Sequence, residues 1–230
     1  MWKKHWHRLT HNAEKIGVDL SEFSEEKVEN SLLETIVKNN AEDARARLTF
    51  FDETVSKIWQ NKSKHKTSFL ITTANFRAVS ENFCLTVSPF PINSESPLAG
   101  VKSCNYLENI LAMENAKADG FDEAIRLNER GEIASAATAN VFWTKNDEIF
   151  TPSLETGCLA GTTRHFVLEK FAVNEKRAQI IELEQADQVF LTSAGIGIVQ
   201  VSKFQEKKFS RRLHELAQIL KPQMESSDKK

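Results

Sequence analysis

Three short segments of this sequence hold residue types that could do chemistry. The first is Lys102, in Gly100-Val101-Lys102-Ser103-Cys104-Asn105-Tyr106, just after a proline-rich stretch and just before an apolar helix. Flanking by Val101 and Cys104 points to partial desolvation, which lowers a lysine's pKa and makes its amine a nucleophile towards carbonyl carbon. The second is Gly161-Thr162-Thr163-Arg164, which opens the helix His165–Phe171. Small residues at a helix start leave backbone N–H groups without partners, and the helix dipole favours an anion there. The third is Thr192-Ser193-Ala194-Gly195 at the end of an apolar strand, a turn of small donors also suited to a phosphate. Each has a plain reading too: a solvated lysine, a Thr-capped helix, an ordinary strand-end turn. The Gly195-Ile196-Gly197 run is not GxGxxG and opens no helix, so it gives little support to a dinucleotide site.

The elements that must position these segments follow from the patterning of 230 residues, one large or two small domains. Trp6, Leu9, Ala13 and Ile16 recur at helical spacing, with Gly17 as C-cap. A second helix runs from the Ser24 cap to Asn39-Asn40, with Glu25 and Glu26 in its first turn. Three strands are predicted next, over 44–51, 68–76 and 83–90, giving an α+β unit with an antiparallel sheet. The Pro-rich residues 91–100 mark the expected linker between a domain over 1–90 and one over 101–222, with a disordered tail at 223–230. Beyond the linker come a helix over 105–118, strands over 123–127, 139–144, 148–151, 188–193 and 198–201, a helix from Thr162, and a last helix over 210–220.

Composition excludes several classes. Lys+Arg 30 against Asp+Glu 32 gives a formal charge of -2, which argues against nucleic acid or an acidic membrane surface as partner. Cys84, Cys104 and Cys158 are widely spaced with no CxxC pair, so neither a disulfide scaffold nor a structural metal site is expected, and a reducing cytoplasmic compartment is. No apolar run approaches bilayer-spanning length, and the first residues lack a secretory apolar core.

Taken together, residues 101–143 followed by 149–169, with their Asn140-Val141-Phe142-Trp143 strand, Thr151-Pro152 turn and Leu159-Ala160-Gly161-Thr162-Thr163-Arg164, resemble the class IV aminotransferase family of fold-type IV pyridoxal 5′-phosphate (PLP) enzymes. That family includes branched-chain and D-amino acid aminotransferases and 4-amino-4-deoxychorismate lyase. The resemblance implies a two-domain D-amino acid aminotransferase-like fold: an N-terminal α+β domain, a C-terminal α/β pseudo-barrel, and a PLP site in the cleft between them near a homodimer interface. It places Lys102 at the lysine that links to PLP and then moves the proton between substrate carbon and cofactor. Arg8, in His5-Trp6-His7-Arg8-Leu9, matches the arginine that clamps the cofactor phosphate. Thr162 and Thr163 match the helix-start phosphate ligands, Ser193 and Ala194 the second phosphate turn, and Asn140 the motif asparagine on the strand below the ring.

Two departures from the family pattern stand out. The family's glutamate that pairs with the pyridine nitrogen lies five residues before the motif asparagine, where this chain has Ser135. Glu132, three residues earlier, belongs to the opposite face of an extended strand unless a bulge intervenes. A serine hydroxyl can hydrogen-bond a neutral ring nitrogen but does not stabilise a charged one, so the ring becomes a weaker electron sink. That favours elimination over amino-group transfer. The second departure is that the family's opening strands, which line the substrate pocket, are not found ahead of Arg8. Three functions stay open: a lyase releasing pyruvate from 4-amino-4-deoxychorismate to give 4-aminobenzoate for folate synthesis, an aminotransferase of branched-chain or D-amino acids with 2-oxoglutarate, and an inactive scaffold. The two active readings take a small-molecule amino substrate.

Overall fold

The computed structural model describes residues 1–41, 44–53 and 66–221, and the chain divides into two compact units, Met1–Phe76 and Arg77–Lys230. In the first, α1 (Trp2–Ile16) ends at Gly17 with φ 74°, where Val18 N–H donates to Ala13 O at 2.9 Å. Only glycine adopts that left-handed geometry without a steric penalty. Helix α2 (Glu25–Lys38) starts as its sequence predicts, Ser24 Oγ accepting from Lys27 N–H at 3.2 Å. Strands β1 (Ala44–Asp52) and β2 (Thr67–Asn75) pair antiparallel from Ala44↔Asn75 to Asp52↔Thr67. Phe23 packs edge-on against Phe50 and Phe69, with centroids 5.2 and 5.5 Å away, fixing the approach to α2 against this ribbon.

The third expected strand belongs elsewhere. β3 (Cys84–Val87) lies in the second unit, parallel both to β4 (Glu123–Leu127) and to β11 (Lys203–Phe204). The division therefore falls between Phe76 and Arg77, ahead of the 91–100 stretch that the prolines marked. Residues 88–92 run on along β4 instead, with Ser88 N–H donating to Ile125 O and Ile92 N–H to Leu127 O, each at 2.8 Å.

The second unit also holds α3 (Leu107–Ala118), β5 (Ile133–Ala136), β6 (Asn140–Lys145), β7 (Glu148–Pro152), α4 (Thr162–Lys170), β8 (Val173–Lys176), α5 (Ile181–Glu184), β9 (Gln188–Ser193), β10 (Gly197–Gln200), β12 (Lys207–Lys208) and α6 (Glu215–Gln218). One five-stranded sheet has the order β10-β9-β6-β7-β8, the other β12-β11-β3-β4-β5. The period of two along β6 sorts its side chains. Val141 and Trp143 join Leu85, Ile125, Ile133, Val189 and Leu191 in one core shared by both sheets. Phe142 turns to the outer face with Val167 of α4 and Leu216 of α6. Two sheets closed over one core give the expected pseudo-barrel.

The last helix is much shorter than its sequence implies, because residues 209–214 are held in an irregular segment ahead of it. Phe209 N–H donates to Ser202 O at 3.0 Å, and the amides of Gln188 and Gln200 donate to Ser210 O and Arg212 O at 3.2 and 2.9 Å. These bonds take carbonyls a helix would need for itself. The expected tail at 223–230 lies outside the described residues.

Candidate functional site

Asn140 is the centre of one cluster. It opens β6 opposite Thr192 of β9, and its amide Nδ2 donates to Leu159 O at 2.8 Å, so the loop before α4 hangs from β6. Gly161 is the N-cap of α4, at φ -68° and ψ 143°, and no side chain caps the helix. A Cβ on Gly161 would lie 2.0 Å from Asn140 Oδ1, so this close approach admits only glycine. Thr162 and Thr163, in the first turn, are both buried. The hydroxyls of Thr163 and Thr192 are sealed from solvent, and neither has a hydrogen-bond partner among the described residues. A buried hydroxyl without a partner costs free energy, and two beside an uncapped helix start fit the donor set an anionic ligand requires. Ser193, half-buried, and exposed Ala194 continue from Thr192 into the turn towards β10. Asn140, Thr162, Thr163, Ser193 and Ala194 therefore lie at the start of β6, in the first turn of α4 and at the end of β9, elements linked through Asn140.

The other motif residues lock this cluster. Arg164 is buried, donates to Pro152 O at 3.0 Å and pairs with Glu175, tying α4 to β7 and β8. Thr151 Oγ1 donates to Val141 O at 2.8 Å, bracing β7 against β6.

A second cluster lies across the β5–β6 connection. Ala136 N–H donates to Ala139 O at 2.9 Å, closing a tight turn. Ala137 O in that turn accepts from Asn109 Nδ2 of α3, and from Tyr106 Oη at 3.5 Å. The ammonium of Lys102 sits 4.4 Å above the centroid of the Tyr106 ring, a cation–π contact. Lys102 is exposed, however, and so is Cys104, so the desolvation expected from its neighbours does not occur. Ser135 is buried on β5, directly opposite buried Arg126 on β4.

The hairpin also decides the question of Glu132. The β4–β5 register shifts at Arg126/Leu127, so Leu127 pairs with Ile133 while Arg126 pairs with Ser135. Ala134 is the extra residue, and the simple alternation that separated Glu132 from Ser135 fails there. Glu132 nonetheless has other partners: Arg177 Nε at 2.7 Å, Arg130 Nε at 3.0 Å and Asn128 Nδ2 at 2.7 Å. Burial opposes its ionisation, but these donors outweigh it and keep its pKa below the usual carboxylate range. Buried Glu123, by contrast, has its pKa raised by desolvation, although Thr138 Oγ1 and the Ala137 and Ala124 amides donate to it.

Arg8 lies on α1 in the first unit, partly buried, and burial lowers its guanidinium pKa from the ordinary value. Its neighbour His5 is pushed down to about 4, by burial first and then by the charges of Arg8 and the N-terminus. The sequence pattern did not single out Tyr106, Asn109 or Arg126, and it named Thr192 only as the start of the small-residue turn. Tyr106 follows Lys102 by about one helical turn, and Arg126 is a lone cation in the apolar run Glu-Ala-Ile-Arg-Leu, so both carried a readable signal.

With that geometry in place, the chain matches the family Amino-transferase class IV over residues 1–204, and it belongs to that family. A Methanocaldococcus jannaschii protein with a provisional branched-chain-amino-acid aminotransferase name is 30% identical over 212 residues, covering 87% of this chain and 72% of the relative. Aminodeoxychorismate lyase of Bacillus subtilis is 33% identical over 125 residues, covering 52% of this chain and 43% of that enzyme. Among solved structures, Escherichia coli branched-chain amino acid aminotransferase superposes with a TM-score of 0.86 at 23% identity, covering 95% of this chain and 76% of that one. A Brucella abortus aminotransferase, solved bound to the cofactor PLP, reaches 0.77 at 26% identity, covering 90% of this chain and 76% of that one. Among the described residues no helix is long and apolar enough to cross a membrane.

Proposed function

We propose that this chain is a PLP-dependent lyase like aminodeoxychorismate lyase, releasing pyruvate from 4-amino-4-deoxychorismate to leave 4-aminobenzoate. The site's polar groups fit the cofactor: the Thr163 hydroxyl, together with Thr162 and the Ser193-Ala194 turn, would take its phosphate, and Lys102 would link to it covalently. Asn140 shapes the cradle by holding Gly161 back. When bound, PLP supplies an electron sink that acidifies a carbon near the substrate amine. Lys102 Nζ then takes the proton from that carbon and returns it to the departing enolpyruvyl group. The Tyr106 ring under Nζ limits where the amine can reach.

The observation that carries the lyase reading is Ser135, buried on β5 where the resemblance expects a carboxylate, with Glu132 already committed to two arginines. Similarity to the B. subtilis lyase agrees with it. A second reading, an aminotransferase with 2-oxoglutarate as acceptor, is favoured by the longer match to the M. jannaschii protein. We take the partners to be a small amino substrate and a second copy of the chain.

The test begins with absorbance. Purified protein incubated with PLP should show a visible band that Lys102→Ala abolishes, and failure of the native protein to take up PLP would sink both enzyme readings. Pyruvate plus 4-aminobenzoate from aminodeoxychorismate is the expected product pair. Glutamate formed from an amino acid and 2-oxoglutarate would establish transfer instead.

A further inference from the structure

We propose that Arg126, with Ser135, holds the ring nitrogen of the bound cofactor unprotonated, a buried cation standing opposite the position where the family pattern places a carboxylate. This inference rests on the PLP reading above.

Its starting point is register. Arg126 and Ser135 are direct cross-strand partners, and directly opposed residues in an antiparallel pair project to the same face with Cβ atoms about 5 Å apart. Whatever Ser135 faces therefore lies beside Arg126. The Arg126 side chain is 3% exposed, and a guanidinium does not give up its proton in a protein. It is also fixed in place by three segments. Nε donates to Phe90 O at 3.2 Å, Nη2 to Pro91 O at 3.0 Å, and Nη1 to Asn109 Oδ1 at 3.4 Å. Asn109 in turn donates to Ala137 O, the same carbonyl that Tyr106 reaches, so Arg126 is coupled to the turn beside Lys102.

The nearby carboxylates are committed elsewhere. The exception is Glu108, which pairs with Arg126 itself at 3.0 Å from a side chain that is 74% exposed, and so offsets part of the guanidinium's charge. Glu123 accepts from Thr138 and two backbone amides, and Glu129 accepts from Ser94 N–H and Oγ at 2.8 and 2.6 Å. Glu132 is held by Arg130 and Arg177. Beside a buried guanidinium a second positive charge on a pyridine ring is disfavoured, whereas the Ser135 hydroxyl can donate to the neutral nitrogen. Arg126 is thus a positioning residue, acting on the ring's charge rather than on the reacting atoms.

The experiment is nitrogen NMR of the holoprotein reconstituted with PLP labelled with nitrogen-15 in the ring. Native protein should give the chemical shift of an unprotonated pyridine across neutral pH, and a protonated shift would overturn the proposal. Ser135→Glu should move the signal to the protonated position; no movement would mean that position 135 does not face the nitrogen, and the proposal fails. Arg126→Gln should raise the ring's titration midpoint, and an unmoved midpoint would remove Arg126 from the account. If Arg126→Gln does not fold, Glu108→Gln, an exposed change that takes the carboxylate partner from Arg126, should lower the midpoint, and an unmoved midpoint there removes Arg126 from the account. Failure of the protein to bind labelled PLP overturns the function proposed above, and this inference with it.

Discussion

The hydroxyl of Thr163 has no partner, yet it is held 1% exposed at the start of α4. If its purpose is a cofactor phosphate, it costs stability in the empty protein and returns it on binding. Thr163→Val keeps the shape and removes the hydroxyl. The cofactor-free variant should be as stable as the native chain or more so, by up to about 1–3 kcal/mol, since a buried unsatisfied group is removed. Its affinity for PLP should fall roughly 10- to 100-fold, the loss of one hydrogen bond to a charged acceptor. Thermal melts without cofactor and a PLP titration followed by absorbance measure both quantities. Loss of stability with affinity unchanged would make Thr163 a packing residue. At this scale Thr163 stood out as a small residue at a helix start, whereas Ser135 stood out only against the family pattern. The sequence misled where solvent exposure decides, because Val101 and Cys104 beside Lys102 say nothing of what lies above the loop in space. Arg126 went unnoticed because its importance comes from Ser135 opposite, and pairing partners are not written in local spacing.

Helix α4 begins where Gly161 and Asn140 meet, and that contact belongs to elements more than to residues: it sets the loop before α4 against the end of β6. Gly161 has φ -68°, so alanine is allowed by the backbone and excluded only by Asn140 Oδ1. Gly161→Ala should therefore cost about 1–3 kcal/mol as an overpacking substitution, and should break the Asn140–Leu159 bond. In an Asn140→Ser background the added methyl has room, and its cost should shrink by more than half, a coupling that urea melts of the four proteins in the double-mutant cycle measure directly. Strictly additive costs would show that the two residues do not meet. Caps and periodicity made most elements legible: the Ser24 cap, the Gly17 C-cap and the strand expected over 139–144 all appear in the structure as read. The last helix was not legible, because the expected start of the 210–220 helix is pinned by Gln188 and Gln200, donors from distant strands that leave no mark on its own residues.

For the molecule as a whole, the least legible feature was which strands belong together. The run containing β3 follows two strands in sequence, yet its partners are β4 and β11, and parallel pairing between segments so far apart leaves no local mark. A similar long-range argument bears on α3. One side of this helix buries Ala112, Met113 and Ala116, while Leu107, Ile110 and Leu111 stand 63%, 50% and 47% exposed. A helix apolar on both sides is built to be covered on both, and a row of exposed leucine and isoleucine beside the Lys102 segment is an interface signature. We take a second copy of the chain as the cover, in keeping with the dimer that the family resemblance implies. Light scattering on the eluting protein should then give twice the chain mass. Replacing Leu107 and Ile110 together by glutamate should give the monomer mass with the helical circular-dichroism signal intact, because neither side chain is part of the buried core. The same pair should weaken PLP uptake if the interface supports the Lys102 loop, and native protein that elutes as a monomer at high concentration would refute the covered-helix argument outright.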